Sequence, residues 1–523
     1  MGQQGVSFTA PHFKAAQAGQ AVLEAGGTAC EAMVAAAAAV AVYYPHMNGL
    51  GGDSFWLVAK AGQEPITIDA CGRSAVGIDA TYCQQAEQSG LPNSGVWAAL
   101  TMAGTVSGWQ KALAIDNSGT SLLDLFQAAI EGAESGIEVT QSLAAASRKT
   151  FESHKGNSSF AATFLPHGRP LEAGERVTNP ALANTFRRLA DAGLGDFYHG
   201  QLAELMAEDL AAAGSVLSLA DFHQHKAEYV APLSVNISKG RLYNMGAPTQ
   251  GVASLLILAI YDLLAETATS DIDHMHLLVE ATKKAFQIRN RVVTDPQSLS
   301  KPLTDYLQGE QIANLAADVS LDTAAPWPEQ AVPGDTVWMG AVDQYGTMVS
   351  FIQSVYWEFG SGVMLPQTGI VWNNRGVSFS TDPAHHNALA AAKKPFHTLN
   401  PAYAELNDGS RMVYGTMGGE GQPQTQACLF SRYHYQDDSL AQSIAKPRWL
   451  LGRTWGDDNH HLRLEQSLYQ QASDELIGRG HQLACVDDLS ELMGHAGAIV
   501  CQPDGQIEAA TDPRSDGQFF IRK

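Results

Sequence analysis

Apolar residues recur at two different spacings along this chain, and their distribution restricts it to a layered α/β fold. Between about 110 and 320, "SLLDLFQAAIEGAES", "GQLAELMAEDLAAAG", "VASLLILAIYDLLAE" and "HMHLLVEATKKAFQIRNRVV" repeat apolar positions every three to four residues, the spacing of one helix face. The two ends are mixed. Strand-like runs at 55–59, 65–70, 337–342, 347–355, 368–373, 411–415 and 496–501 accompany helical patterns at 28–44, 421–436 and 467–480. Strands at both ends with helices between predict one layered sandwich whose central helical segment packs outside. No repeat, low-complexity block or Pro/Ser linker divides the 523 residues into independent domains.

Asp and Glu number 54 against 32 Lys and Arg, a formal net charge of -22. A strongly acidic surface repels phosphate, which argues against nucleic acid and anionic membrane as partners. Six cysteines are scattered without CxxC spacing and read as buried thiols of a reducing compartment, not as a disulfide framework or a zinc site. The opening "MGQQGVSFTAPHFK" has neither the basic head nor the apolar run of an export signal, so a cytoplasmic location is expected. The run "AMVAAAAAVAVYY" at 32–44 is too short to span a bilayer and reads as a buried helix, capped by the pair Thr28 and Glu31. The histidine pairs at 223–225, 274–276, His385-His386 and His460-His461 lack other ligands at metal spacing and read as solvated or capping residues. "GLGGDS" at 49–54 lacks the last glycine of a phosphate loop.

The stretch "PGDTVWMGAVDQYGTMVSF" at 333–351 reads as a turn, a strand, a second turn at Asp343–Gly346 and a second strand. Thr336 stands at the junction of the first turn and the first strand. Taken alone, a threonine there is a good strand former and nothing more.

Read with "YYPHMNGLGGDSFWLV" (43–58), "MAGTVSGW" (102–109), "DFYHGQLAE" (196–204), "LLVEATKKAF" (277–286), "FGSGVMLPQTGIVWNN" (359–374), "GTMGGEGQPQTQ" (415–426) and "AATDPRS" (509–515), it takes on another meaning. In order and spacing these segments resemble the γ-glutamyltranspeptidase family of N-terminal-nucleophile hydrolases, over nearly the whole chain from about 6 to 516. The resemblance implies a four-layer αββα sandwich and self-cleavage between Asp335 and Thr336. Residues 1–335 would form a large subunit and 336–523 a small one, held together as one folded unit and open to further oligomerisation. A hydroxyl is a weak nucleophile near neutral pH, but an N-terminal amine with a pKa of roughly 8 on the same residue serves as its base. That amine exists only after the cut. The resemblance assigns the oxyanion donors to the backbone of Gly418 and Gly419, where the lack of side chains allows close approach. It assigns to Ser354 the orientation of the nucleophile, and it implies no metal and no cofactor.

The residues that hold a glutamyl group in that family do not carry over. This chain reads "NNRGVS", with Arg375 and Ser378 where the family has an amide or acid and an Asp that bind the substrate's ammonium. Tyr356 replaces an Asn, His397-Thr398 replace a serine pair, and only Arg73, displaced by two residues, is left to stand in for the carboxylate-binding arginine. A planar guanidinium suits a carboxylate, and His397 and Thr398 add donors. Tyr356 and Trp338, with Trp357 beside them, are bulky and shorten the pocket. The expected substrate is therefore a short anionic acyl amide without an amino group, and the pattern most resembles the oxamate amidohydrolase subgroup, which releases ammonia and oxalate. A γ-glutamyl hydrolase or transferase acting on glutathione-like substrates and a glutaryl-type acylase are the enzymatic alternatives. An unprocessed scaffold on the same fold is the non-enzyme one.

Overall fold

The structure, a computed structural model, describes residues 5–327, 335–452 and 461–523. Pro333, Gly334 and His460 fall outside these residues, as does the side chain of Asp335. Two antiparallel sheets face one another. The first runs Gln518–Arg522, Val6–Ala10, Asp335–Val342, Met348–Tyr356, Asp53–Ala59, Ile66–Ala70 and Glu228–Val230. The second runs Ile507–Thr511, Ala496–Cys501, Arg411–Thr416, Ala402–Leu406, Gly240–Asn244 and Leu233–Ile237.

Strand alternation separates three cores. Val337, Met339 and Ala341 lie in a core shared with the outer helices Phe13–Glu24, Ala29–Tyr43 and Leu122–Ser135, while Trp338 and Val342 face the other sheet. Phe55, Leu57, Met348, Ile352, Tyr243, Tyr403, Val413 and Ile499 join them in that inter-sheet core. The second sheet packs its other face against the helices Gly251–Leu264, Asp271–Val292 and Gln422–Tyr435. The order is therefore helices, sheet, sheet, helices. The helix Ala29–Tyr43 begins with the expected reciprocal cap: Glu31 N–H donates to Thr28 Oγ1 (3.2 Å) and Thr28 N–H to Glu31 Oε2 (2.8 Å).

Two expectations need correcting. The segment 110–320 is not one outer helical layer. The strands between 228 and 244 interrupt it and contribute to both sheets, so its helices divide between opposite faces of the sandwich. The histidines of 274–276 are not both solvated: His276 is fully buried and shares a hydrogen bond of 2.8 Å with His481.

Trp338 explains several glycines. Its indole lies in the inter-sheet core, where a Cβ on Gly415 would come within 2.2 Å of the ring and one on Gly497 within 2.6 Å. Its Nε1–H donates to Ser350 Oγ at 3.0 Å. These glycines are required by close approach of the two sheets around one large side chain.

Candidate active site

The strand Asp335–Val342 lies in the middle of the first sheet, between Val6–Ala10 and Met348–Tyr356. Thr336 shares the inward face with Trp338 and is 1% exposed. Its hydroxyl accepts a hydrogen bond from Gln422 Nε2 at 3.4 Å. On the neighbouring strand the register slips between Gln353 and Tyr356, so that Tyr356 pairs with Asp335. Tyr356 pays for that bulge with φ of +87°, a strained value for a tyrosine. Ser354, within the bulge, accepts from the Tyr356 amide at 2.7 Å and stands opposite Asp53.

Gly418 and Gly419 form the turn from the strand Arg411–Thr416 into the helix Gln422–Tyr435, with φ of +122° and +54°. Only glycine adopts two such conformations in succession at little cost. The turn is anchored by a buried network. Gln250 Nε2 donates to the carbonyls of Gly419 and Thr398, both at 2.8 Å, and its Oε1 accepts from Arg289 Nη1 at 2.9 Å. Arg289 Nη2 meets Glu420 Oε2 at 2.5 Å, closing the network onto the turn itself.

Arg375 follows two asparagines that act as backbone clamps. Asn373 Nδ2 donates to the Gly51 carbonyl (2.8 Å) and its Oδ1 accepts from Thr101 Oγ1 (2.8 Å), while Asn374 accepts from the Trp357 amide (3.1 Å). The clamps deliver the Arg375 guanidinium to within 3.5 Å of the Tyr356 ring centroid, stacked and buried. Nη1 donates to Thr398 Oγ1 at 3.3 Å, and Nε and Nη2 have no partner among the described residues. Burial lowers the guanidinium's pKa, partly countered by Tyr356 and Asp53. Burial raises that of the Tyr356 phenol, against which Arg375 and the hydroxyl of Ser378 work in the opposite direction.

His397 is not a further donor beside Arg375. Its Nε2 faces Asp53 Oδ2 at 3.0 Å and its Nδ1 accepts from the Leu399 amide at 3.4 Å, so both ring nitrogens are engaged. Burial holds its pKa well below the usual value and lifts the Asp53 carboxyl to about 7. Arg73 is likewise used elsewhere: Nη1 contacts Asp295 Oδ2 at 2.8 Å and the Ala392 carbonyl at 3.0 Å. Asp295, itself buried, captures the side chain.

Two groups of described residues bring three possible metal ligands within 4.8 Å of one another, Asp53–Cys71–His397 and His276–Glu280–His481. In the first the Cys71 thiol is held far above its usual pKa by burial, and in the second Glu280 is paired with Lys283 at 2.6 Å. Residues that sequence reasoning left out are Asp53, Gln250, Arg289, Glu420 and Gln422. Asp53, Glu420 and Gln422 lie inside the motif stretches and could have been singled out there. Gln250 and Arg289 carry no local signal.

A four-layer sandwich with its candidate hydroxyl near the start of a central strand has the architecture of the N-terminal-nucleophile hydrolases. The family model described as Gamma-glutamyltranspeptidase matches residues 15–521. The chain belongs to the γ-glutamyltranspeptidase family and is an enzyme of it. It is 51% identical over 512 residues to the oxamate amidohydrolase proenzyme of Klebsiella pneumoniae subsp. pneumoniae, covering 97% of each chain. It is 36% identical to the glutathione hydrolase-like YwrD proenzyme of Bacillus subtilis, covering 97% of this chain and 96% of that one. Among solved structures, cephalosporin acylase from Bacillus halodurans superposes with a TM-score of 0.90 at 29% identity, over 99% of this chain and 96% of that chain. Among the described residues no helix is long and apolar enough to cross a membrane.

Proposed function

We propose that the protein is a self-processing amidohydrolase that uses Thr336 as an N-terminal nucleophile on a short anionic amide, with oxamate as the preferred substrate. The observation that carries the substrate class is Arg375, a buried guanidinium with Nε and Nη2 open among the described residues. A cation kept dry and half-satisfied is costly unless an anion completes it, and a carboxylate matches the geometry of its fork. Arg375 stacks on Tyr356, whose backbone pairs with Asp335, and this supports a cation close to the start of the Thr336 strand. Closure supports a short acyl group: Thr336, Tyr356 and Arg375 are each 1% exposed. The 51% identity to an oxamate amidohydrolase proenzyme points the same way.

Cleavage of the Asp335–Thr336 peptide frees the amine that then takes the proton of the threonine hydroxyl. The hydroxyl oxygen attacks the amide carbon, the backbone N–H groups of Gly418 and Gly419 hold the oxyanion, ammonia leaves, and water hydrolyses the ester. Each oxyanion donor contributes on the order of 3 kcal/mol. The two pieces stay together because the sheets interleave them: Asp335–Val342 lies beside Val6–Ala10, and Met348–Tyr356 beside Asp53–Ala59. Cys30, Cys71, Cys428 and Cys501 are buried and joined in no disulfide among the described residues, which suits a reducing cytoplasm.

Steady-state kinetics on oxamate, succinamate, glutaramate, glutamine and a γ-glutamyl anilide tests the reading. Oxamate should lead. A lead for the anilide would overturn the charge argument, and a lead for glutaramate would keep the charge argument and overturn the short pocket.

A further inference from the structure

We propose that Gln422 binds the nitrogen of the scissile amide, its carbonyl oxygen Oε1 accepting an N–H of the leaving group. This rests on the reading of the site as an anionic-amide hydrolase and names the one part of the substrate that reading leaves unbound. The helix Gln422–Tyr435 begins "QPQTQ", three glutamines two residues apart, all buried. Two of them are structural and use both ends of the side chain. Gln424 donates to the Leu451 carbonyl (3.0 Å) and accepts from the Leu451 amide (2.7 Å). Gln426 donates to the Asn400 carbonyl (2.6 Å) and accepts from Asn244 and Asn400, both at 3.4 Å.

Gln422 differs. Its Nε2 donates to Thr336 Oγ1 at 3.4 Å, and its Oε1 is buried with no partner among the described residues. A buried carbonyl oxygen ordinarily finds a donor. The oxygen and nitrogen of a carboxamide lie about 2.3 Å apart, so this open acceptor is within reach of a group attached to the carbon that the hydroxyl attacks. An anionic primary amide has three polar parts. Arg375 takes the carboxylate, Gly418 and Gly419 take the carbonyl oxygen, and the amide N–H is the donor that remains for Oε1.

The Thr336 hydroxyl proton passes to the α-amine as the new carbon–oxygen bond forms. As the carbon–nitrogen bond breaks, the nitrogen takes that proton and departs as ammonia, held until then by Oε1. Water then cleaves the ester and returns its proton, through the same amine, to Oγ1. An ester of the same acid lacks the N–H and makes no use of Oε1.

The test compares oxamate with monoethyl oxalate, which share the carboxylate and the acyl carbon. Gln422→Met also removes the Nε2 donor to Thr336 Oγ1, which serves both substrates, and should lower kcat/KM on oxamate about 10- to 100-fold more than on the ester. Self-cleavage and an unchanged thermal midpoint would show that the variant folds. Gln422→Glu keeps an acceptor oxygen and loses the Nε2 donor, and its amide-to-ester ratio should stay within about threefold of the wild type. Equal losses on amide and ester in Gln422→Met, or a collapse of the ratio in Gln422→Glu, would overturn the assignment while leaving wild-type oxamate turnover intact. Wild-type protein inactive on both compounds would overturn the underlying reading instead.

Discussion

Replacing Arg375 with methionine should separate function from stability, moving the two in opposite directions. The wild-type side chain is buried, stacked on Tyr356, bonded to Thr398 through Nη1, and open at Nε and Nη2 among the described residues. With no ligand present, unsatisfied buried donors cost about 1–3 kcal/mol. Methionine fills similar space without that cost, so Arg375→Met should leave the thermal midpoint unchanged or slightly higher. With an anionic amide bound, the same guanidinium pairs with a carboxylate in a dry site. Truncating such a pair costs about 2–4 kcal/mol, or roughly 30- to 1000-fold in kcat/KM at about 1.4 kcal/mol per decade. The assay is ammonia release from oxamate and from neutral propionamide, alongside thermal melts in buffer and in excess oxalate. Oxamate turnover should fall by that factor, propionamide turnover should not, and oxalate should raise the midpoint of the wild type only. A loss equal on both amides, or a large drop in the ligand-free midpoint, would mean that Arg375 is a structural residue and that the substrate argument fails.

Other expectations follow from the same geometry. Arg289→Met removes the Arg289–Glu420 pair beneath the glycine turn, and truncating one partner of a buried pair costs about 3–5 kcal/mol, measurable as a lower denaturant midpoint. Because burial lifts the Asp53 carboxyl to about 7 in the folded protein, the fold binds a proton there that the unfolded chain releases near pH 4. Stability from that proton is full below about pH 4 and is lost as pH rises through 7. Asp53→Asn should therefore gain thermal midpoint relative to the wild type between pH 5 and 8, and a flat difference across that range would contradict the burial argument. The rate on oxamate should rise with pH to an apparent pKa near or below about 8 and then flatten; a falling profile would remove the α-amine as base.

Much of the fold is legible in the sequence because it rests on local periodicity. The hairpin strands Asp335–Val342 and Met348–Tyr356, the helix Ala29–Tyr43 and its cap, and the helices Gln422–Tyr435 and Gln466–Gly478 lie where the patterns put them. The strands Val6–Ala10 and Gln518–Arg522 escape, because each is short and becomes a strand by pairing with the opposite end of the chain. Arg375, Tyr356 and Thr398 converge, as motif position implies. His397 and Arg73 show its limit, since a motif fixes where a backbone runs and not which partner takes the side chain. Asp53 and Asp295 take these two through contacts hundreds of residues apart in sequence. Gln250 and Arg289 are invisible for the same reason. A glutamine capping one helix and an arginine on another have meaning only once both reach beneath the Gly418–Gly419 turn.

The most direct test of the whole account is intact-mass analysis of the purified protein, together with Thr336→Ala, before and after a rapid quench during turnover of a slow ester of oxalate. The account predicts two wild-type masses, for residues 1–335 and 336–523, with the acyl adduct on the piece that begins with Thr336, and a single uncut, inactive chain for the variant. A wild-type protein that is fully active as one chain of 523 residues, or an adduct on the larger piece, would contradict it.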